Sequence, residues 1–422
     1  MEVINRMVNI DLNYKDIIQR RTDFPSLGRT HNGYPLAYLD GPGGTQVSQQ
    51  VIDAIVKYYK TCNANHNGRF ITSQESDAII EESREAMATL LNAESAGNIS
   101  FGANMTTMTF SLSKAISRML KPGEEILITQ LDHEANRGPW LNLQENGIVV
   151  REVKLKPDGI LDYDDFKNKI NKKTRLVAMG LASNALGTVN NIPLIRELTT
   201  QVGAWLLIDA VHYVPHLPVD VKELKVDFLL CSAYKFYGPH VGILYSKTGL
   251  LHELKADRLR TQIQHSPYII ETGTLNHAAL AGVKAAVEYI ASFGTGSDFR
   301  TNIVTAMQRI YSYEHKLAHY LYEGLRGING VTIYGPSFNE LKRAPTVSFT
   351  LDGYKPQEIC SFLNEKGICV WDGHFYAIRP VEVLGLMNKG GLTRAGISLY
   401  NTTEEIDRLL EEIKKVIKAQ TK

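Results

Sequence analysis

Short apolar runs alternate with amphipathic segments between residues 98 and 290, and this alternation is the strongest constraint on the fold. The apolar runs predict strands at 99–101, 125–129, 149–154, 176–181, 205–209, 228–231 and 241–245. Helices fit between several of them, at 104–119, 135–146 and 193–202. Such alternation is typical of a mostly parallel α/β sheet.

The flanking segments predict further elements and a domain division. Residues 1–30 are expected to form an N-terminal arm or short helix, 31–295 a large domain, and 296–422 a small C-terminal domain that takes in part of the arm. Helices are predicted at 48–60 and 76–91 in the large domain. The C-terminal domain is expected to be α+β, with helices at 298–326, 356–366 and 403–419 and strands at 331–333, 346–350 and 396–398.

Charge and composition argue against several classes of partner. The 46 Lys and Arg balance 45 Asp and Glu, so a net charge of +1 indicates no nucleic-acid or anionic-membrane partner. No apolar run approaches the length of a membrane span, and the first residues lack the apolar region of a secretory signal. Four cysteines show no disulfide or metal spacing. These features predict a cytoplasmic protein.

One lysine stands out within the stretch 226–245, VDFLLCSAYKFYGPHVGILY. Lys235 lies among aromatic residues between two apolar runs. A buried lysine loses part of its preference for the charged form, so its amine becomes a nucleophile for Schiff-base chemistry. Alternatively, the side chain extends its charged end to solvent from the end of a strand. The lysine alone leaves both interpretations open.

Polar residues follow the predicted strands, and the carboxyl ends of parallel strands are where ligands bind in open α/β sheets. The segment GANMTTM after residue 101 begins a helix whose N–H groups could hold a phosphate. The later strands are followed by Asp132 and His133, Ser183 and Asn184, Asp209 and His212, and Ser232 and Lys235.

Each of these residues also has an ordinary structural interpretation. Asn104 or Thr106 could cap a helix, Asp209 could do the same, and single histidines are often structural. His315 and His319 have the spacing of metal ligands on one helix face, but no third ligand is evident, so no metal is expected. Only the combination points to one cofactor.

A pyridoxal phosphate site needs a lysine for the imine, a carboxylate for the pyridinium nitrogen and a helix N-terminus for the phosphate. The chain resembles the fold-type I, class V aminotransferases of the cysteine desulfurase-like group over nearly its whole length. The stretches that carry the resemblance are LDGPGGT (39–45), FGANMTT (101–107), LDHEAN (131–136), SNALGT (183–188), LLIDAVH (206–212), CSAYKFYGPHVGILY (231–245), ETGT (271–274) and TRAGISLYNTTEEIDRL (393–409). The resemblance implies a large domain with a mostly parallel seven-stranded sheet.

The resemblance also implies roles for individual residues. Lys235 would form the imine, Asp209 would pair with the pyridinium nitrogen, and His133 would stack on the ring. The other expected cofactor contacts are Asn104, Met105, Thr106, Asn184, His212 and Ser232, with Gly273 and Thr274 contributed by the second subunit of a homodimer. The expected substrate contacts are Arg394, which would bind a carboxylate, and the loop residues His374 and Tyr376.

The loop WDGHFYA, 371–377, departs from this family. Cysteine desulfurases carry a nucleophilic cysteine there, whereas this chain has Tyr376. The nearest cysteine, Cys369, lies in an apolar run, and Trp371 replaces the family's usual arginine. A phenol cannot accept sulfur as a persulfide, so desulfurase activity is not expected.

Three outcomes remain for the reaction. The first choice is a lyase that cleaves a C–S or similar β-bond, and the alternatives are a class V aminotransferase or an epimerase. A bulky loop from Trp371 to Tyr376 suggests a substrate with an aromatic or extended side chain. A protein that binds the cofactor without catalysis is a further alternative, against which Lys235 and Arg394 argue together.

Overall fold

The structure is a computed structural model that describes residues 12, 14–339 and 341–420. The strands are β1 (Thr30–His31), β2 (Tyr34–Pro35), β3 (Ala37–Tyr38), β4 (Ile99–Gly102), β5 (Glu125–Thr129), β6 (Val149–Val153), β7 (Thr174–Gly180), β8 (Trp205–Asp209), β9 (Phe228–Ser232), β10 (Gly242–Ser246), β11 (Val331–Tyr334), β12 (Thr346–Leu351), β13 (Ile368–Cys369), β14 (Trp371–Gly373) and β15 (Leu392–Gly396).

The helices surround these strands and connect them. They are α1 (Tyr14–Arg21), α2 (Gln49–Thr61), α3 (Ile71–Leu91), α4 (Met105–Ser117), α5 (Gly138–Leu141), α6 (Tyr163–Lys169), α7 (Ile192–Val202), α8 (Val221–Leu224), α9 (Leu250–Glu253), α10 (His277–Ala291), α11 (Phe299–Arg326), α12 (Pro356–Asn364), α13 (Ile378–Val383) and α14 (Thr403–Gln420). None of the helices in the described part of the chain is long and apolar enough to cross a membrane.

A seven-stranded sheet forms the centre of the fold, in the order β4-β10-β9-β8-β7-β5-β6. Strand β10 runs antiparallel to both its neighbours, β4 and β9, while the pairs from β9 to β6 are parallel. The mostly parallel sheet predicted from the sequence is therefore confirmed, with one reversed strand that the strand–turn–strand pattern around Gly238–Pro239 explains.

Both faces of this sheet are covered, as parallel sheets require. Along β8, Leu206 and Ile208 join one apolar cluster, whereas Leu207 between them joins a second cluster on the opposite face. The first cluster continues to Val347 and Leu392 of a smaller antiparallel sheet, in the order β11-β12-β15-β14. Apolar packing thus connects the two sheets, which positions the C-terminal segment over one end of the large sheet.

Three elements differ from the sequence predictions. The helix predicted at 135–146 is broken into a short 3₁₀ turn, α5 and a second 3₁₀ turn, because Pro139 lacks an N–H and crowds the preceding turn. The strand predicted at 396–398 lies instead at Leu392–Gly396, and ends where Gly396 packs directly against Pro42. Helix α3 starts at Ile71, earlier than predicted, with Phe70 and Ile71 exposed and therefore outside any apolar periodicity.

Further elements were not assigned from the sequence, notably α10 and the strand β14 within the loop segment 371–377. The arm predicted at 1–30 falls partly outside the described residues, and its described part contains α1.

Candidate active site

A cavity opens at the carboxyl ends of β5, β7, β8 and β9, beside the N-terminus of α4. Nine residues predicted as cofactor contacts line it together: Asn104, Met105, Thr106, His133, Asn184, Asp209, His212, Ser232 and Lys235. The remaining predicted residues, Gly273, Thr274, His374, Tyr376 and Arg394, are not among the residues that line it. The order of strands therefore brings the strand-end residues to one place, as parallel topology dictates.

Lys235 ends a 3₁₀ turn that directly follows β9. Its Nζ donates a hydrogen bond to the carbonyl oxygen of Pro42 and lies 4.9 Å from the centre of the Tyr234 ring. Burial, together with the positive charge of Arg394, lowers the pKa of the Lys235 ammonium group to about 7, although Asp40 and Asp209 act to raise it. A substantial fraction of this amine is therefore neutral, and nucleophilic, at neutral pH.

Asp209 is the last residue of β8 and is buried. One carboxylate oxygen accepts a hydrogen bond of 3.0 Å from the N–H of Val211. Burial raises the pKa of Asp209 to about 6, although that hydrogen bond and the nearby Lys235 both oppose the increase. A cationic ring nitrogen beside this carboxylate would favour its ionised form.

His133 forms part of the cavity wall after β5. Its Nδ1 accepts a hydrogen bond of 3.0 Å from the N–H of Ala135, which fixes the orientation of the ring. Burial, together with the charges of Lys235 and Arg394, lowers the pKa of His133 to about 4. The imidazole ring of His133 is therefore neutral at pH 7, which suits stacking on the aromatic ring of a ligand.

His212 is buried in the cavity wall and packs against the buried pair of His216 and Glu314. Its Nε2 is 2.9 Å from Thr346 Oγ1, while its Nδ1 is buried and has no partner among the described residues. The ring of His216 packs edge-on at 5.3 Å, and His216 Nδ1 is 2.7 Å from the buried Glu314 carboxylate. Burial keeps the pKa of His212 well below its ordinary value, so this ring too is neutral.

The N-terminus of α4 closes one end of the cavity. Asn104 caps the helix by accepting from the N–H of Thr107, and the N–H of Met105 donates to Ser232 Oγ at 3.1 Å. Any side chain at Gly242 would collide with the backbone of Asn104, so this glycine lets the helix end approach β10 closely. The N-terminus carries partial positive charge and suits an anion.

Arg394 lies on β15 and is enclosed by protein. Its Nη2 is 2.7 Å from Asp40 Oδ1, its Nη1 donates to the carbonyl of Asn184 at 3.1 Å, and its side chain is 3% exposed. The ring of Phe375 covers the guanidinium at 4.4 Å. The predicted carboxylate-binding arginine is thus near the cavity but paired and covered.

The loop that follows β14 contacts the cavity wall. Tyr376 is 63% exposed, and its ring centre lies 5.8 Å from that of His133. The N–H of Tyr376 donates to His374 Nδ1 at 3.1 Å. Tyr376 therefore stands at the rim, where its side chain is free to meet a ligand.

The four cysteines lie elsewhere. Cys62, Cys231 and Cys360 are buried and Cys369 is half-buried, and none lines the cavity. Burial raises the pKa of the thiols of Cys231, Cys360 and Cys369 above its ordinary value. Little thiolate is therefore present on these three at neutral pH.

Gly273 and Thr274 are exposed and lie in a separate hollow with His66, Arg84 and Tyr268. Neither residue lines the cavity of its own chain, although Thr274 also lines a hollow beside the start of α4 with Gly102, Ala103 and Thr107. Their contribution to the site of a second subunit stays a prediction.

Sequence reasoning missed three residues that contact the predicted ones: Asp40, Pro42 and Phe375. Asp40 and Pro42 belong to the glycine-rich turn, where Gly43 lies so close to the Asp40 carboxylate that a side chain there would collide with it. The signal available was LDGPGG at 39–44, a carboxylate held by a tight turn. Phe375 gave no signal in the sequence, because its contact with Arg394 is seen only in the folded chain.

The residues that line the cavity fit pyridoxal phosphate. The amine of lowered pKa suits its aldehyde, and the buried carboxylate suits its ring nitrogen. The neutral imidazole on the wall suits its ring face, and the helix N-terminus with a hydroxyl suits its phosphate. The unpartnered Nδ1 of His212 leaves one buried polar atom for which a ligand could supply the partner. The donor set is therefore complete in kind.

Comparisons with known proteins agree with this chemistry. The sequence model described as aminotransferase class-V matches residues 37–409. A cysteine desulfurase of Serratia proteamaculans is 34% identical over 414 residues, 94% of this chain and 97% of the relative, and one of Pectobacterium atrosepticum is 33% identical over 412 residues, with the same coverage.

Solved structures are similar as well. The apo cysteine desulfurase of Thermococcus onnurineus NA1 superposes with a TM-score of 0.85 at 27% identity, covering 95% of this chain and 98% of that one. A cysteine desulfurase of Escherichia coli, described as an S-sulfonic acid, gives a TM-score of 0.84 at 25% identity, covering 96% and 100%.

Proposed function

The chain belongs to the aminotransferase class-V family, and we propose that it is a lyase that cleaves a C–S or similar β-bond of an amino acid without forming a persulfide on its own cysteines. It is a homologue of cysteine desulfurases, and the family implies pyridoxal phosphate as cofactor. For an S-substituted cysteine, the reaction consumes water and gives a thiol, pyruvate and ammonium.

One observation carries the finer part of the proposal. Where the family's sulfur-accepting thiol is expected, this chain has Tyr376, 63% exposed at the rim of the cavity. The cysteines are buried or half-buried and do not line the cavity. Without a thiol in the cavity wall to accept sulfur, we favour loss of the sulfur as a leaving group over transamination or epimerisation for a sulfur-containing amino acid.

Lys235 is the proposed base. The cofactor, when bound, withdraws electrons from the amino acid and makes its Cα proton acidic. With a pKa of about 7, Nζ of Lys235 can accept that proton near neutral pH and return one later. A base whose pKa lies near the working pH serves both directions of transfer.

The other cavity residues hold the reactants in place. Asp209 would keep a positive charge on the ring nitrogen, and neutral His133 would cover one face of the ring without adding charge. The N-terminus of α4 with Ser232 would bind the phosphate. Arg394 would bind the substrate carboxylate, since its planar group matches a carboxylate in two hydrogen bonds.

The alternative outcomes use the same residues. Transamination or epimerisation would need only a different destination for the proton that Lys235 takes. A non-catalytic cofactor-binding protein would have no need to hold a substrate carboxylate, so the presence of Arg394 beside the cavity, together with Lys235, argues against it.

Product identification tests the proposal. The holoenzyme would be mixed with S-methyl-, S-benzyl- and unsubstituted L-cysteine, while cofactor absorbance, pyruvate and released thiol are measured. We expect pyruvate and thiol in equal amounts. An oxo acid formed only with stoichiometric amino acceptor would identify an aminotransferase instead, and an unchanged spectrum with every amino acid would support a non-catalytic protein.

A further inference from the structure

The arginine proposed to bind the substrate carboxylate is already paired on one edge. Nη2 of Arg394 bonds Asp40 at 2.7 Å, and Nη1 donates to the carbonyl of Asn184 at 3.1 Å. Its Nε is buried without a partner among the described residues. The guanidinium therefore retains an unused donor, but a ligand in the Lys235 cavity does not reach it as the structure stands.

Phe375 is the residue that covers the guanidinium. Its ring centre lies 4.4 Å from Cζ of Arg394, and its side chain is buried at 4% exposure. An aromatic face over a cation is attractive, more so where water is excluded. The ring therefore lies against the guanidinium and helps to enclose it.

The backbone of the loop fixes this ring in place. Phe375 and Tyr376 have φ of 55° and 58°, in the left-handed region that residues other than glycine rarely adopt. Their carbonyls are held from the cavity wall, since Asn184 Nδ2 donates to Phe375 O at 2.8 Å and the N–H of Glu134 donates to Tyr376 O at 2.8 Å. The cavity wall itself thus keeps the ring over Arg394.

We propose that Phe375 is a specificity-determining residue whose ring masks Arg394, so that an amino acid gains its carboxylate contact only by displacing the ring. This inference rests on the proposed function, because it takes Arg394 as the carboxylate site. A carboxylate binds in the plane of a guanidinium, through N–H donors such as the unpartnered Nε, and these charge-assisted hydrogen bonds can form only when the enclosed group is uncovered. An amine without a carboxylate leaves the ring in place and gains nothing.

Ligand pairs that differ only in the carboxylate test the masking. The holoenzyme would be titrated with L-alanine and with ethylamine, following cofactor absorbance, as wild type, Phe375→Leu and Phe375→Tyr. Removing the ring should lower the Kd for L-alanine by about 3- to 30-fold, the range that a desolvated cation–π contact contributes. The Kd for ethylamine should not change, and Phe375→Tyr, which keeps a ring, should behave as wild type.

A second titration needs neither cofactor nor turnover. Trp371 pairs with Arg394 across β14 and β15 and is 48% exposed, so its fluorescence reports on this place. Sodium propionate added to the full-length apo protein should give a saturable change that Trp371→Phe abolishes, with tighter binding in Phe375→Leu. If the proposed elimination reaction fails, this result can still be obtained, so the two failures are distinguishable.

Either titration can overturn the inference. It is wrong if the Kd values for L-alanine and ethylamine shift together in a Phe375→Leu protein of normal melting temperature, or if neither shifts. Should Phe375→Leu not fold, Phe375→Met is used in the same two titrations, and Kd values for L-alanine and propionate equal to those of the wild type contradict the masking.

Discussion

At the scale of single residues, burial rather than charge pairing gives Lys235 its chemistry. Asp40 and Asp209 both act to raise its pKa, yet burial and Arg394 outweigh them and lower it to about 7. The same environment keeps His133 and His212 neutral. The cavity thus lowers the pKa of its lysine and histidines together, which suits a lysine that must react as a free amine.

The first prediction concerns the pH dependence of cofactor uptake. Only the neutral amine of Lys235 attacks an aldehyde, so the rate at which apo protein takes up pyridoxal phosphate should rise as the pH passes through about 7 and level off roughly one unit above that value. Borohydride reduction of timed samples, followed by peptide mass analysis, measures it. Nα-acetyl-lysine is the control, since the pKa of its side-chain amine is about 10.4 and the rate of its reaction with pyridoxal phosphate should still rise above that of neutral solution well into the alkaline range.

The rates of the protein and of Nα-acetyl-lysine, compared over the same pH range, show whether burial lowers the pKa of Lys235. A rate for the protein that continues to rise in parallel with that of Nα-acetyl-lysine would show that burial does not lower the pKa of Lys235. Lys235→Ala should show no reducible adduct at any pH, and an adduct on another lysine would disprove the assignment.

How far the sequence predicts the site is clearest at this scale. Lys235, Asp209, His133 and Asn184 each follow a strand, so a predicted parallel sheet brings them together without further information. The pairing of Asp40 with Arg394 joins residues 354 positions apart, and no local pattern signals it. Contacts of that kind depend on how the C-terminal segment packs on the large sheet.

At the scale of elements, the sequence predicts the buried apolar strands well, but it does not predict where helices are interrupted or where strands end. The inner strands of the large sheet are buried on both faces, which makes their apolar sequences distinct, whereas the edge strand β6 is partly exposed. The break at Pro139 and the end of β15 at Gly396 depend on single residues within otherwise regular patterns. Such breaks follow from backbone chemistry and close packing, which periodicity does not reveal.

One buried ion pair connects elements beside the site. Arg84 on α3 binds Glu271 through two hydrogen bonds, of 2.6 and 2.8 Å, and the same carboxylate accepts from the N–H of Phe101 on β4. Arg84 also lies over the rings of Phe101 and Tyr268, at 5.0 and 4.9 Å. The pair therefore fixes the segment that leads to Gly273 and Thr274.

We predict that Glu271→Ala lowers the free energy of unfolding by about 3 kcal/mol, because the buried Arg84 then keeps only the half-exposed Glu81, 3.5 Å from its Nε, as a counter-charge. Urea unfolding followed by circular dichroism measures the change. Asp164→Ala, which removes the exposed partner of Lys167, is the control and should change stability by less than about 1 kcal/mol. Equal effects of the two substitutions would contradict a stabilising role for the buried pair.

At the scale of the whole molecule, the proposed homodimer explains features that one chain leaves unused. Gly273 and Thr274 are exposed and do not line the cavity of their own chain. Apolar side chains are exposed on neighbouring segments, with Tyr59, Phe70, Ile71 and Leu259 between 58% and 67% exposed. Large exposed apolar residues in one region favour burial against another copy.

Subunit complementation tests this sharing. Lys235→Ala protomers and protomers carrying Gly273→Asp with Thr274→Ala should each be inactive. After subunit exchange in equal amounts, each heterodimer should regain one intact site, so the mixture should reach about a quarter of wild-type activity. Inactive mixtures in which mass analysis confirms heterodimers would show that each site is built from one chain.

The central claim is that the carbon–sulfur bond is cleaved without a cysteine of this chain. The most direct measurement is alkylation and intact mass analysis of the holoenzyme quenched during turnover of L-cysteine, on wild type and on a variant with Cys62, Cys231, Cys360 and Cys369 replaced by alanine. We predict no persulfide on any cysteine, pyruvate as the product, and turnover in the folded variant within about 2-fold of wild type, since none of the four thiols lines the cavity. A persulfide on any of them, with alanine as the product and activity lost in the variant, would contradict the account.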